Sequence, residues 1–281
     1  MSKDWRSALF VAANDAARIA KIHTRGADAV ILDLEDAVPA ADKPVARAAI
    51  VATAEQLAAL GQTVAVRINS NWRDAVADLD AAVLATVTAL VVPKVECPHR
   101  LAALAEMICE WEAARALPVG NIGVIALIES PAALARMAEI AAIPRVIGLA
   151  LGTEDFSLAL GVAPTPQSLD LPCRLLAFAA AQRQLMALAL PISIGAFDDD
   201  AAYAEAIANA RAIGLTGALC IHPKQVTALN AGFAPNEREI AEAEAIVAAW
   251  DERGSVNAIK LGDRMIDPPV AARARQVLTR R

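Results

Sequence analysis

The sequence predicts an α/β protein, a (β/α)8 TIM barrel with a C-terminal helical extension, on three observations. Eight short apolar runs alternate with eight helix-like segments over roughly the length that such a barrel needs. The runs are apolar throughout, as suits strands of a parallel sheet buried on both faces. Charged residues gather where the runs end, the rim at which these folds place chemistry. A doubly wound open sheet is the rival, but no GxGxxG or Walker motif supports nucleotide binding on one.

The first run, Ser7 to Ala12, is followed by Asn14-Asp15, good N-cap residues, and a helix to about Thr24 that stops at Gly26. The second, Ala29 to Leu34, runs into Glu35-Asp36, and a helix from about Lys43 to Leu60 ends at the capping Gly61. The third, Thr63 to Asn69, finishes on polar residues and precedes a helix from about Trp72 to Leu84. The fourth, Ala89 to Val92, leads into Pro93-Lys94-Val95-Glu96 and a helix from Pro98 to Ala116. The fifth, Ile122 to Ile128, stops at Glu129, with Pro131 in the first turn of the next helix, where proline is tolerated.

The sixth run, Val146 to Leu151, leads to Thr153-Glu154-Asp155. A connection through Pro164, Pro166 and Pro172 then precedes a helix from Cys173 to Leu190. The seventh strand is expected over Ile192 to Phe197, followed by Asp198-Asp199-Asp200 and a helix to Ile213. The eighth, Gly217 to Ile221, ends in His222-Pro223. Residues 1–235 thus form the barrel, and 236–281 a C-terminal helical segment. That segment holds a helix from Asn236 to Asp251, a looser stretch from Gly254 to Met265, and a last amphipathic helix after Asp267-Pro268-Pro269. With the barrel complete by His222, the tail is expected to cap it or to reach a neighbouring subunit.

A chain of 281 residues, 57% of them hydrophobic, can bury a sizeable core. The net charge of −6 and pI near 5.2 argue against a nucleic-acid or anionic-membrane partner. Mean hydropathy is +0.42, yet no uncharged run is long enough to span a bilayer and the N-terminal apolar run is too short for a signal peptide. A cytoplasmic protein is expected. Cys97, Cys109, Cys173 and Cys220 lack CxxC spacing and the three histidines are scattered, which reads as reduced packing residues and not as a zinc site.

The rim residues carry the chemistry. Glu129 and the pair Glu154/Asp155 end runs one βα repeat apart, and so belong to neighbouring strands. Two such acids suit Mg²⁺, which takes one or two protein carboxylates and fills its octahedron with waters and substrate oxygens. The plainer reading is that each acid only caps the helix behind it. Arg67 ends an apolar strand, so its guanidinium emerges at the rim, where its fork of donors matches a substrate carboxylate. An internal ion pair with Glu35 or Asp36 is compatible with that role while no ligand is bound. Lys94 has the position of a Schiff-base lysine, but a metal–carboxylate pair makes that chemistry unnecessary, and an ion-pair or anion role is preferred. His222 reads as a helix-entry histidine satisfied by backbone, and the four tryptophans as packing.

Several motifs in register resemble those of the citrate lyase β-subunit-like enzymes of the HpcH/HpaI aldolase/citrate lyase superfamily. They are Arg6 through Val11, Val30 through Val38 with Leu34-Glu35-Asp36, Val66-Arg67-Ile68-Asn69 and Pro93-Lys94. Further along stand Ile128-Glu129-Ser130-Pro131, Gly152 through Phe156, Gly217 through Gln225 and Met265-Ile266-Asp267. The resemblance spans nearly the whole chain.

The resemblance implies a homotrimer or hexamer of TIM barrels and an oxo-acid-lyase that cleaves a 3-hydroxyacyl-CoA of citryl-, malyl- or citramalyl-CoA type. The products would be a short acyl-CoA and a 2-oxo acid: oxaloacetate, glyoxylate or pyruvate. By position, Glu129 and Asp155 look like the ligands of Mg²⁺, with Mn²⁺ as its substitute, and Glu154 like a neighbour. Arg67 looks like the clamp on the oxo-acid carboxylate, Glu35 and Asp36 like acids around the metal's waters. Asp267 looks like the general acid/base, delivered across a subunit interface. Arg6, Lys21 and Lys43 are the basic positions expected to hold the CoA. Three departures concern the CoA pocket: Ala12-Ala13 where relatives run on into proline, Ala17 beside Arg18 where an arginine is expected, and Pro191-Ile192-Ser193 in place of an acidic pattern. An aldolase or thioesterase on malyl-type compounds, or a non-catalytic subunit of a lyase complex, is the alternative.

Overall fold

The computed structural model describes residues 5–254 and 257–280. Its contacts divide the chain into two compact units, Met1–Ala231 and Gly232–Arg281. The first is a barrel of eight parallel strands: β1 (Ser7–Ala12), β2 (Ala29–Asp33), β3 (Val64–Arg67), β4 (Ala89–Val92), β5 (Gly123–Ile128), β6 (Val146–Leu151), β7 (Met186–Leu188) and β8 (Ala218–Cys220). They run in the order β7-β6-β5-β4-β3-β2-β1-β8. The remaining gap closes through a parallel bridge between Leu188 and Gly217, with Ala189 N–H donating to Gly217 O at 2.9 Å. Glycine is required there, because a Cβ on Gly217 would overlap the backbone of Trp5 and Arg6.

Side chains alternate across each strand, and one parity fills the barrel. Ala29 and Ile31 of β2, Ala65 of β3, and Ile125 and Leu127 of β5 belong to one buried cluster, each no more than 1% exposed. The opposite parity packs under the outer helices. Those helices begin where the sequence offers caps: Asp15, Asn71, Ser130, Thr165 and Asp199 each accept a backbone N–H of the turn they start. Asp15, Asn71 and Ser130 each come shortly after a strand, so their caps stand at the C-terminal rim.

Strands one to six and strand eight fall where the sequence places them, to within two residues. The seventh does not: β7 is Met186–Leu188, not 192–197. The helix before it spans Pro166–Ala181, opened by a capping box in which Thr165 and Ser168 satisfy each other's backbone N–H. Pro172 lies inside it and does not start it. The chain turns at Gln184, which takes φ +57 although it is not glycine, so no Gly or Pro marks the turn. Residues 189–197 then become a loop over the rim. The helix after β5 is also broken, into Pro131–Ala135 and Met137–Ala141.

The second unit packs helix Glu237–Arg253 and helix Pro268–Thr279 with a two-stranded antiparallel hairpin, β9 (Ile259–Leu261) and β10 (Arg264–Ile266). The stretch expected to be loose therefore holds a hairpin, and its residues 255–256 lie outside the described residues. Ile246, Ile259, Ile266, Ala271 and Ala274 form its small core. Among the described residues no helix is long and apolar enough to cross a membrane.

Candidate active site at the barrel mouth

The inward parity of three strands ends in charge. The series Ala29, Ile31, Asp33 on β2, Ala65, Arg67 on β3 and Ile125, Leu127, Glu129 on β5 carries Asp33, Arg67 and Glu129 to the barrel mouth. Asp33 is 1% exposed and Glu129 7%. A buried charge persists only if it is paired.

Asp33 and Arg67 pair bidentately. Arg67 Nε donates to Asp33 Oδ1 at 2.7 Å and Nη2 to Oδ2 at 2.6 Å. The same carboxylate accepts the backbone N–H of Glu35 at 2.9 Å and of Ala37 at 3.1 Å, so it also shapes the turn that presents Glu35 and Asp36. Arg67 Nη1 lies 3.1 Å from Glu35 Oε2 and 3.6 Å from Asp36 Oδ2, and the guanidinium sits 4.8 Å above the Phe10 ring.

Lys94 joins the next two acids. Its backbone is left-handed (φ +52), and its N–H donates to Glu129 Oε2 at 2.5 Å. Its Nζ donates to Glu35 Oε1 at 2.9 Å and lies 3.8 Å from Asp36 Oδ1. Burial pushes the Glu35 carboxyl above the usual range, against the pull of Lys94 and Arg67. Burial acts harder on Glu129. Its pKa is pushed up to about 7, with the Lys94 N–H and Arg67 opposing and the charges of Glu35 and Asp155 adding to the rise.

Glu154 and Asp155 separate in role. Glu154 Oε1 accepts from Ser193 Oγ at 2.7 Å and from Ile194 N–H at 3.2 Å, which ties it to the loop after β7. Asp155, half-buried in the first turn of helix Thr153–Leu160, faces Glu129 and Lys94 electrostatically and takes no hydrogen bond among the described residues.

Five carboxylates (Asp33, Glu35, Asp36, Glu129, Asp155) thus meet two cations, Arg67 and Lys94. The surplus is negative, and burial together with the neighbouring acids raises the pKa of Glu129. That donor set fits a divalent cation. Among the described residues no three His, Cys, Asp or Glu side chains converge as a cage. Two carboxylates alone leave most of an octahedron to water and substrate, as Mg²⁺ prefers.

The structure therefore brings Glu35, Asp36, Arg67, Glu129 and Asp155 to one rim. It does not bring Arg6 there. Arg6 precedes β1 at the opposite end of the barrel, where Nε and Nη2 both bind Asp28 at 2.8 Å. Lys21 is in the last turn of helix Ala16–Ile22, about 9 Å along the axis from the rim-side cap. Lys43 lies near the rim, but its three ammonium donors are taken by Leu34 O, Glu35 O and Asn69 Oδ1 at 2.8, 3.0 and 2.6 Å. These are the three positions expected to hold a CoA; Arg18, in the first turn at the rim, has a side chain 80% exposed. Asp267 belongs to the C-terminal unit, where it caps helix Pro268–Thr279 by accepting Val270 N–H at 3.1 Å. His222 is held by backbone, its Nδ1 accepting Lys224 N–H at 3.2 Å. The reading of the sequence passed over Asp33, although the parity of Ala29 and Ile31 points to it.

The model of the HpcH/HpaI aldolase/citrate lyase family matches residues 6–223. The citrate lyase subunit beta-like protein of Deinococcus radiodurans is 34% identical over 98% of this chain and 96% of its own. The L-malyl-CoA/beta-methylmalyl-CoA lyase of Rhodobacter capsulatus is 30% identical over 88% of this chain and 84% of its own. Among solved structures, protein CitE from Mycobacterium tuberculosis in complex with magnesium, acetoacetate and coenzyme A superposes with a TM-score of 0.77 at 29% identity, covering 100% of this chain and 99% of that one.

Proposed function

The chain belongs to the HpcH/HpaI aldolase/citrate lyase family, and on that premise we propose that it is a Mg²⁺-dependent carbon–carbon lyase acting on a 3-hydroxyacyl-CoA. The observation that carries this reading is the buried Glu129 carboxylate, its pKa pushed up to about 7, facing Asp155 in the first turn of the helix after the neighbouring strand. A site of that kind gains most from a divalent cation. The magnesium and coenzyme A bound by the Mycobacterium tuberculosis relative support it.

Cleavage of a 3-hydroxyacyl thioester whose carbinol carbon bears a carboxylate passes the hydroxyl proton to a base at the mouth and breaks the bond between the carbinol carbon and the α-carbon, leaving a 2-oxo acid and a thioester enolate. Mg²⁺ on Glu129 and Asp155 would supply Lewis acidity toward the oxo-acid and hydroxyl oxygens. Arg67, two of whose five N–H groups are held by Asp33, would give the substrate carboxylate its remaining donors in exchange for the Nη1 contacts with Glu35 and Asp36. Glu35 and Asp36, held by Lys94 and Arg67, would accept hydrogen bonds from the metal's waters. Asp267 exchanges the proton at the enolate carbon, a general acid/base contribution of about 10²–10⁴-fold. It would act from the tail of a neighbouring subunit in a trimer or hexamer. Arg18, exposed at the rim, joins Arg6, Lys21 and Lys43 as a basic position for a CoA.

A panel of citryl-, malyl- and citramalyl-CoA with Mg²⁺ tests the reading. Cleavage of one of them to a 2-oxo acid supports it; release of free CoA and the intact hydroxy acid would make the protein a thioesterase instead.

A further inference from the structure

Gly152 ends the inward parity of β6, following Gly148 and Ala150, and stands beside Glu129 on β5. Its N–H donates to Ile128 O at 3.1 Å, which fixes its backbone against the strand that delivers the carboxylate. Its φ of −84 and ψ of 91 are open to any residue, so the backbone does not require glycine. Space does. A Cβ placed on Gly152 would stand 2.5 Å from Glu129 Cγ and Oε1 and 2.9 Å from Cδ. On the other side, the Lys94 N–H holds Oε2 from β4.

We propose that Gly152 is a positioning residue for the carboxylate of Glu129: its missing side chain is the notch that seats the acid in its metal-binding orientation. The inference rests on the metal reading above. Main chain from both neighbouring strands then aims Glu129, with Lys94 pulling one oxygen and Gly152 leaving room for the other. A methyl in the notch meets the far end of a flexible side chain, so the carboxylate moves and the barrel does not. Loss of an interaction that orients a ligand typically costs 10–100-fold in metal affinity.

The test is calorimetric titration of Mn²⁺ into the full chain for wild type, Gly152→Ala, Glu129→Ala and the double variant, with thermal melts of each. Gly152→Ala is expected to keep a wild-type melt and to bind Mn²⁺ 10–100-fold more weakly, with kcat falling more than the KM for the acyl-CoA rises. In the Glu129→Ala background, adding Gly152→Ala is expected to change metal affinity no further. If Glu129→Ala loses Mn²⁺ while Gly152→Ala binds within twofold of wild type, the notch is overturned and the metal reading stands. If Glu129→Ala itself keeps its affinity, the metal reading fails and the notch with it. Should Gly152→Ala not fold, folding of the double variant would support the overlap with Glu129, and failure of both to fold would overturn it.

Discussion

The backbone N–H of Lys94 meets Glu129 Oε2 at 2.5 Å, and Lys94 itself adopts a left-handed conformation, φ +52. For a residue with a side chain this conformation costs about 1–2 kcal/mol, and strain of this kind persists where the surroundings over-determine it. The same residue sends its ammonium to Glu35 Oε1. One position therefore serves two acids, by main chain and by side chain.

The two functions are separable. Lys94→Gly keeps the N–H and relieves the strain, so metal affinity is expected to survive while the ammonium's contribution disappears. Without that ammonium, Glu35, already raised by burial, titrates higher still. The acid limb of the kcat/KM profile is therefore expected to move to higher pH in Lys94→Gly. An unchanged profile would show that the Lys94–Glu35 pair has no part in the reaction.

Asp33 acts through Arg67. Asp33→Asn removes the charge that fixes the guanidinium and leaves a buried cation with only Glu35 and Asp36 beside it, at a stability cost of about 3 kcal/mol. A displaced clamp is expected to lower kcat/KM by roughly 10²-fold. Most of that loss should appear as weaker binding of the 2-oxo acid, with Mn²⁺ affinity near wild type. Equal losses of oxo-acid and metal binding in calorimetry would mean that the rim as a whole has collapsed.

Much of this site was legible in the sequence, because acids and bases that end apolar strands must emerge where the strands end. Glu35, Arg67 and Glu129 could be read that way, and the helix caps set most element boundaries. Strand β7 was hidden because its three residues make almost no pattern and Gln184 turns the chain without a glycine. Asp33 was hidden because it looked like part of the strand and not its end. The surroundings of Arg6 and Lys43 were hidden for another reason. A positive charge in the sequence carries no mark of its partner, and Asp28 and Asn69 are visible as partners only in three dimensions.

Glu129 gives the metal site a pH dependence of known sign. Its folded pKa, about 7, lies above the ordinary value of 4.5. In the metal-free protein it therefore contributes stability that is complete below pH 4.5 and is lost as pH rises through about 7. A metal ligand must be ionised, so binding below pH 7 displaces a proton. Apparent Mn²⁺ affinity is expected to rise about tenfold per pH unit up to roughly pH 7 and then to level. Calorimetry in buffers of different ionisation enthalpy should find about one proton released at pH 6 and few at pH 8. Affinity independent of pH across that range would contradict the assignment.

Asp267 caps a helix in the C-terminal unit, and its proposed service to a neighbouring chain can be tested by mixing. Asp267→Ala and Arg67→Ala subunits are each expected to be nearly inactive alone. After subunit exchange, mixed oligomers that pair an intact Arg67 with a neighbour's intact Asp267 should recover part of the activity. No recovery after exchange has been verified by mass would place Asp267 in its own chain's site or outside the reaction.

The central claim is that Glu129 and Asp155 hold the metal on which carbon–carbon cleavage depends. The most direct measurement is acyl-CoA cleavage, by wild type, Glu129→Ala and Asp155→Ala, followed as Mg²⁺ is titrated from zero. The expected result is cleavage by wild type that requires Mg²⁺, and loss of that Mg²⁺-dependent rate in both variants while their melts remain cooperative. Full metal-dependent cleavage by either variant would contradict the account.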